Sequence, residues 1–285
     1  IGFVNGLGSI DTGTNAINGS AAQIVQALTF HITSHGDFDS EISGAASAQN
    51  IIAIETANGL TGLIDGSGIT AINGTSADIV TAASDIDAGL GNFSSIISSP
   101  TGAVDINNVD SINGSGAITA ELSSGDDIID FSLATCGLTV DGQGGFDDVT
   151  ATSFADVFKI DNGDATAAGV GAGSVETING FDKAADKIDL QTSATLGAAE
   201  TLGSYSIDAS GKVTYTTLPT SLSDLITAVQ GLVTGNGEVG FVEYGGGTYV
   251  FQENGGTDTL VFLDGVTGIT DFSSTAGDSN TLWIA

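Results

Sequence analysis

Residues 123–161 read SSGDDIIDFSLATCGLTVDGQGGFDDVTATSFADVFKID. Clusters of Gly and Asp alternate with short apolar runs of β-formers. Asp147 and Asp156 are nine residues apart, as are Val149 and Phe158, each two places after its aspartate. A chain with this spacing turns on Gly-Asp and then runs a short strand, twice over. That is the pattern of a parallel β-roll with calcium held in its turns. The expected fold is mostly β: degenerate β-solenoid or β-roll repeats with short helices, followed by a C-terminal β domain with one helix.

The rest of the composition agrees. Among 285 residues there are 42 Gly and only 2 Pro, with much Thr, Ser, Asn, Ile and Val, the usage of an all-β chain with many turns. Asp and Glu total 35 against four basic residues, a net charge of -31. The four are Lys159, Lys183, Lys187 and Lys212. Such a balance argues against nucleic-acid binding and against docking on anionic lipid. Carboxylates in this number repel one another unless cations neutralise some of them, and divalent metal is the natural candidate. A merely acidic surface is the plainer reading, but these acids sit beside glycines in turns.

The single cysteine, Cys136, allows no intrachain disulfide; its apolar run, ATCGLTV, suggests a buried small residue. His31 and His35 stand four apart, but HITSHGDFDS lacks the partner acid and the helical pattern of a zinc site. No run of about 18 apolar residues exists that would cross a membrane as a helix. No signal peptide is visible, and a start at Ile1 without any methionine points to a processed or partial product.

Ile-Asn-Gly occurs at 17–19, 72–74, 112–114 and 178–180. Each copy reads as a short strand ending in an Asn-Gly turn. INGSAAQIVQAL (17–28) aligns without gaps on INGTSADIVTAA (72–83). Ser20 and Thr75 are N-cap candidates, with Gln23 completing a capping box and Asp78 suiting the helix N-terminus. Ala21, Ile24, Val25 and Leu28 then form one helical face. Residues 1–120 are thus a degenerate strand–turn–helix repeat with irregular insertions. Within it, residues 47–74 look like several short strands, and 83–99 like a short helix or loop. Residues 121–190 hold the roll candidate. Residues 191–285 form a strand-rich domain: a hairpin at 204–217, a helix at 220–235 capped by Thr220 or Ser221 and ended by Gly235, and three strands over 239–265.

Calcium takes six to eight hard oxygen ligands. In a Gly-Gly-x-Gly-x-Asp-x-U-x repeat they come from turn carbonyls and the aspartate, while U packs inside. Here Gly142, Gly145, Asp147 and Val149 keep the pattern, and Gln143 stands at the second glycine. Around Asp156 only the Asp and Phe158 remain; around Gly125 the Gly, Asp127 and Ile129 remain. The ligand candidates are Gly125, Asp126, Asp127, Asp141, Gly142, Gly145, Asp147, Asp148 and Asp156, with Asp182, Asp186 and Asp189 beyond them.

Residues 121–285 resemble the C-terminal regions of bacterial proteins exported by type I secretion, the RTX group. GQGGFDDV resembles their nonapeptide. VETINGFDKAADKIDL resembles the segment that follows the calcium roll, and FVEYGGGTYVFQENGGTDTLVFLDGVTG the secretion region, including that of S-layer proteins. The N-terminal repeat is similar to repeats of large bacterial surface proteins and adhesins. The departure from the family is the lack of consecutive perfect nonapeptides. The resemblance implies passage through the type I secretion machinery, an extracellular or cell-surface location, and folding on meeting millimolar calcium.

No catalytic constellation is present. The chain has no His-Glu-x-x-His helix and no Gly-x-Ser-x-Gly elbow, and its paired carboxylates lie in glycine turns where metal ligation is the simpler role. The expectation is therefore a non-enzymatic, calcium-stabilised structural protein that self-assembles into a homo-oligomeric surface layer or filament. The alternatives are an adhesin or calcium-binding module of a larger exported protein, and the detached C-terminal part of an enzyme.

Overall fold

A computed structural model describes residues 9–11, 16–30, 38–58, 62–161, 175–255, 257–275 and 278–284. His31 and His35 lie outside the described residues. The fold is mostly β, with five helices among the described residues. The chain divides into two compact units, Ile1–Ala120 and Glu121–Ala285.

The first unit alternates strands and helices: β1 (Ser9–Asp11), β2 (Ala16–Gly19), α1 (Ala21–Phe30), β3 (Asp39–Ser47), α2 (Ala48–Asn58), β4 (Ile64–Asn73), α3 (Ser76–Ser84), β5 (Ser95–Ser98), α4 (Ala103–Asn113) and β6, which begins at Ile118 and ends at Glu121. β1 pairs antiparallel with β2, while β2, β3 and β4 run parallel in chain order. Parallel bridges Asp65↔Ala88, Ala71↔Ser94 and Gly74↔Ile97 carry the stack on from β4.

The four helices begin at Ala21, Ala48, Ser76 and Ala103, a spacing that is even to within one residue. The alignment of 17–28 on 72–83 therefore spans two helix-to-helix intervals. Each helix buries positions i, i+3 and i+6: Ala21/Ile24/Ala27, Ala48/Ile51/Ile54, Ser76/Ile79/Ala82 and Ala103/Ile106/Val109. This stripe is narrower than the expected face of α1, where Val25 and Leu28 are only half-buried. Helix entry follows local chemistry. The Ser20 N–H donates to Gln23 Oε1 (2.9 Å) and the Gln23 N–H to Ser20 Oγ (3.4 Å), a capping box. The Asp78 N–H donates to Thr75 Oγ1 (3.2 Å) and the Asn50 N–H to Ser47 Oγ (3.3 Å).

Two expectations are corrected here. Residues 47–74 are not all strand: residues 48–58 form α2, because Ala48, Ile51 and Ile54 share one helical face despite the β-branched run. The third Ile-Asn-Gly ends helix α4 rather than a strand. Gly114, at φ 71°, is its C-cap, and Asn113 Nδ2 donates to the Gly116 carbonyl (2.9 Å). In the first two copies the asparagine links coils instead. Asn18 Oδ1 accepts the Glu41 N–H (3.2 Å) and Asn73 Oδ1 the Ile96 N–H (2.9 Å), each 23 residues on. The segment 83–99 completes α3, loops, and forms β5.

The second unit contains β7 (Ile128–Asp130), β8 (Thr139–Asp141), β9 (Asp148–Thr150), β10 (Val157–Ile160), β11 (Glu176–Asn179), β12 (Lys187–Leu190), β13 (Glu200–Leu202), β14 (Tyr205–Ile207), β15 (Lys212–Tyr215), α5 (Leu222–Leu232), β16 (Val239–Tyr244), β17 (Gly247–Gln252), β18 (Thr259–Asp264), β19 (Phe272–Thr275) and β20 (Asp278–Ile284). Successive strands from β7 to β12 alternate between two sheets. β8, β10 and β12 run parallel in one, extended antiparallel by β20 and β19. β7, β9, β11 and β18 run parallel in the other, which continues through β17, β16, β15, β14 and β13.

The side chains of Ile129, Val149 and Ile178 from one sheet and Val140, Phe158 and Ile188 from the other are buried. A second core forms where α5 places Leu225, Ile226, Val229 and Leu232 against Ile207, Val213, Val242, Phe251 and Leu260. Ser221 caps α5 by accepting the Asp224 N–H (3.1 Å). The helix stops at Leu232, with Val233 as its C-cap, three residues before the glycine expected to end it. The hairpin at 204–217 turns around Asp208, whose Oδ1 accepts the N–H groups of Ser210 (2.9 Å) and Lys212 (3.1 Å).

Candidate metal-binding turns

Strand register brings the sequence-predicted acids into rows. Ile128 pairs with Asp148 and Asp148 with Thr177, so the preceding residues Asp127, Asp147 and Glu176 stack. Thr139 pairs with Val157 and Val157 with Lys187, so Leu138, Asp156 and Asp186 stack likewise. Within each row the carboxylate of one coil accepts the backbone N–H of the residue in the coil before it. The Asp127 N–H donates to Asp147 Oδ1 (2.9 Å) and the Asp147 N–H to Glu176 Oε2 (2.9 Å). The Leu138 N–H donates to Asp156 Oδ1 (2.8 Å) and the Asp156 N–H to Asp186 Oδ1 (2.8 Å).

Several of these acids also close their own turn four residues back. Asp127 Oδ2 accepts the Ser123 N–H (2.9 Å), Asp156 Oδ2 the Thr152 N–H (2.8 Å) and Asp186 Oδ2 the Asp182 N–H (2.7 Å). Asp147, Asp156, Glu176 and Asp186 are buried. Burial works against the charge of two of them. It raises the Asp156 pKa despite the N–H bonds from Leu138 and Thr152. Burial pushes Asp186 up to about 6 against the pull of its two N–H bonds, aided by the charges of Asp156 and Asp182.

The glycines of the best nonapeptide match lie in close turns. Gly145 has φ 123°, and a Cβ there would lie 2.7 Å from the Gly125 carbonyl carbon, so one turn stacks directly on the other. A Cβ on Gly142 would lie 2.5 Å from Asp147 Oδ2. Gln143, standing where the motif has glycine, keeps the left-handed backbone at φ 64°. Asp126 Oδ1 accepts the Phe146 N–H of the stacked turn (3.0 Å). In this pair of turns Asp126 Oδ1, Asp127 Oδ2 and Asp147 Oδ1 each accept a backbone N–H.

The remaining candidates are dispersed. Asp141 accepts from Lys159 Nζ (2.7 Å) and from the Gln143 N–H (3.2 Å). Asp148 accepts from Asn179 Nδ2. Exposed Asp182 accepts the Ala184 N–H (2.9 Å). Asp189 lies on β12, in register with Lys159. Among the described residues no group of three or more His, Cys, Asp or Glu side chains is placed to hold a metal ion. Cys136 is half-buried, not buried.

Two contributors escape a reading of the sequence. Glu176 occupies the row position next to Asp147, but its distance along the chain is far longer than a nonapeptide, so no repeat count reaches it. Lysines serve as internal clamps. Lys159 Nζ bridges Asp141 and Asp161 (2.7 and 2.9 Å). Burial disfavours its charge, but hydrogen bonds and charges from both aspartates outweigh this and raise its pKa. Lys212 Nζ donates to the Ile269 carbonyl (2.8 Å), and Lys183 Nζ reaches the carbonyls of Thr267 and Gly268 (3.4 and 3.3 Å).

No protein-family model matches the chain, and no curated protein matches it.

Proposed function

We propose that the chain is a non-enzymatic extracellular structural protein of the RTX-like, type I-secreted kind, which self-assembles into a surface layer or filament with calcium at its turns. The observation that carries this reading is the alternation of β7 to β12 between two parallel sheets, with a carboxylate row at the turns. In this reading the segment is a parallel β-roll. Its calcium sits at the stacked turns of Gly125 and Gly145, with Asp126 the carboxylate and turn carbonyls the other donors. A net charge of -31 supports coupling between cation binding and folding, since a self-repelling chain compacts when counter-ions bind.

The outer surface of the first unit supports assembly. Among the described residues, every well-exposed position of α1 to α4 is uncharged, including Ala53, Ala57, Ala77, Val80 and Val104. The acids of these helices, Glu55, Asp78, Asp105 and Asp110, are half-buried, which lowers the charge on the most exposed positions where a second copy would meet it.

The test is light scattering and electron microscopy of the purified chain in chelator and in millimolar calcium. Regular polymers that form with calcium and dissolve with chelator are expected. A chain that stays monomeric in calcium overturns the assembly reading and favours the adhesin-type module.

A further inference from the structure

Alternate residues of a strand share a face, so β18 turns Leu260, Phe262 and Asp264 to one side of its sheet. Leu260 is buried in the core that α5 covers, whereas Phe262 is only half-buried and Asp264 is exposed. Register brings neighbours to the same face. Phe262 pairs with Tyr249 of β17, and the two rings stack with centroids 4.5 Å apart and planes at 26°. Tyr249 pairs in turn with Val242 of β16, and half-buried Tyr244 stands two residues further along that strand. Gly247, opposite Tyr244, has no side chain, and the Phe262 ring lies over it: a Cβ at Gly247 would meet Phe262 Cε2 at 2.6 Å. At Gly245 and Gly246, the turn joining β16 to β17, a Cβ would meet nothing within 4 Å, so no neighbouring element closes over that end of the rings. Burial raises the Tyr249 pKa, and the charges of Tyr244 and Asp264 add to it, which marks the three as neighbours. Asp264 has no cationic partner. The Asn179 amide, beside it in the row, donates to Asp148 and to the Val149 carbonyl. Among the described residues no lysine forms an ion pair with Asp264.

A half-exposed ring beside a carboxylate without a cation suits a guanidinium. Its plane stacks on the ring while its N–H groups reach the carboxylate. A lysine ammonium is a compact, strongly hydrated point charge and gains less from the ring. We propose that Tyr244, Phe262 and Asp264 form a docking point for an arginine side chain of a partner protein. Charge complementarity favours a basic partner, since the chain carries -31. A second copy cannot supply the side chain, because these 285 residues include no arginine. The site rests neither on calcium binding at the stacked turns nor on self-assembly.

The experiment titrates the peptide acetyl-Gly-Arg-Gly-amide into the full chain at constant ionic strength and follows the aromatic ring resonances by NMR. Acetyl-Gly-Lys-Gly-amide and sodium chloride are the controls. The arginine peptide is expected to shift the Phe262 and Tyr244 rings saturably and to bind about two- to fivefold more tightly than the lysine peptide. Asp264→Asn should weaken it by about tenfold. Glu200→Gln, which removes one charge from the exposed edge strand β13 of the same sheet, should leave its binding unchanged. Rings that do not move with the arginine peptide, or that move equally with sodium chloride, overturn the site in the wild type alone. Equal binding of the two peptides overturns the preference for arginine. An equal effect of Asp264→Asn and Glu200→Gln overturns the site as well, reducing the binding to net charge.

Discussion

Asp186 shows how a single buried acid makes this molecule sensitive to pH. Its pKa rises from an ordinary 3.8 to about 6 in the folded chain, so between these values the native state holds a proton that the unfolded state has released. Stability therefore falls as pH climbs from about 4 to above 6. Each tenfold change in proton affinity is worth about 1.4 kcal/mol, so the loss is roughly 2–3 kcal/mol. Asp156, raised by burial in the same way, acts in the same direction. The diagnostic measurement is therefore urea unfolding at pH 4.5 and 7 for wild type and Asp186→Asn, the variant showing the smaller difference. Gly145→Ala is a second residue-scale prediction. It forces a Cβ onto the Gly125 backbone at φ 123° and should lower stability by about 2–4 kcal/mol. Gln143→Gly, which removes a side chain from a left-handed position, should change stability by less than about 1 kcal/mol in the same thermal-melt series.

At the scale of elements, the buried stripe of the N-terminal helices makes a sharp contrast. Ile51→Ala or Ile79→Ala should cost about 2–5 kcal/mol, because each empties a fully buried site, whereas exposed Val80→Ala should cost within about 0.5 kcal/mol. Chemical denaturation of the three variants checks this. Elements with strong caps and wide apolar faces were legible from sequence: α1 with its Ser20–Gln23 box, α3 with Thr75, and α5 with its broad leucine- and valine-rich face. So was the hairpin around Asp208. α2 and α4 were not, because Asn-Ile-Ile-Ala-Ile and Asp-Ile-Asn-Asn-Val-Asp present β-branched and turn-forming residues whose helical face is only three small or branched side chains wide. The coil between the two alignable copies stayed hidden for a related reason. It enters α2 through Ser-Gly-Ala-Ala-Ser in place of Ile-Asn-Gly, so two coils read as one long unit.

For the whole molecule, the uncharged, most exposed helix positions and the -31 charge set the expected behaviour. Val80→Lys and Val104→Lys place charge on exposed positions of α3 and α4. Under the proposed assembly they should suppress the polymers expected with calcium in light scattering while leaving the melting temperature within a few degrees. The acid-rich turns were visible in the sequence as Gly-Asp spacing, and Gly145 and Gln143 both take positive φ there. What spacing alone left hidden is where those acids spend their oxygens. Register directs Asp147, Asp156 and Asp186 onto backbone N–H groups of the preceding coil, and it brings in Glu176 from far along the chain.

The regular helix starts of the first unit have a mechanical consequence. Among the described residues α1 packs on α2, α2 on α3 and α3 on α4, so a pulling force is expected to peel these elements from one end instead of breaking them at once. Each event releases one coil. At about 3.4 Å per residue, a coil of roughly 27 residues yields roughly 9 nm of slack. A protein stretched in an optical trap should therefore lengthen by a ladder of near-equal steps, absorbing work at each one, as a shock absorber does and a single brittle fastening does not.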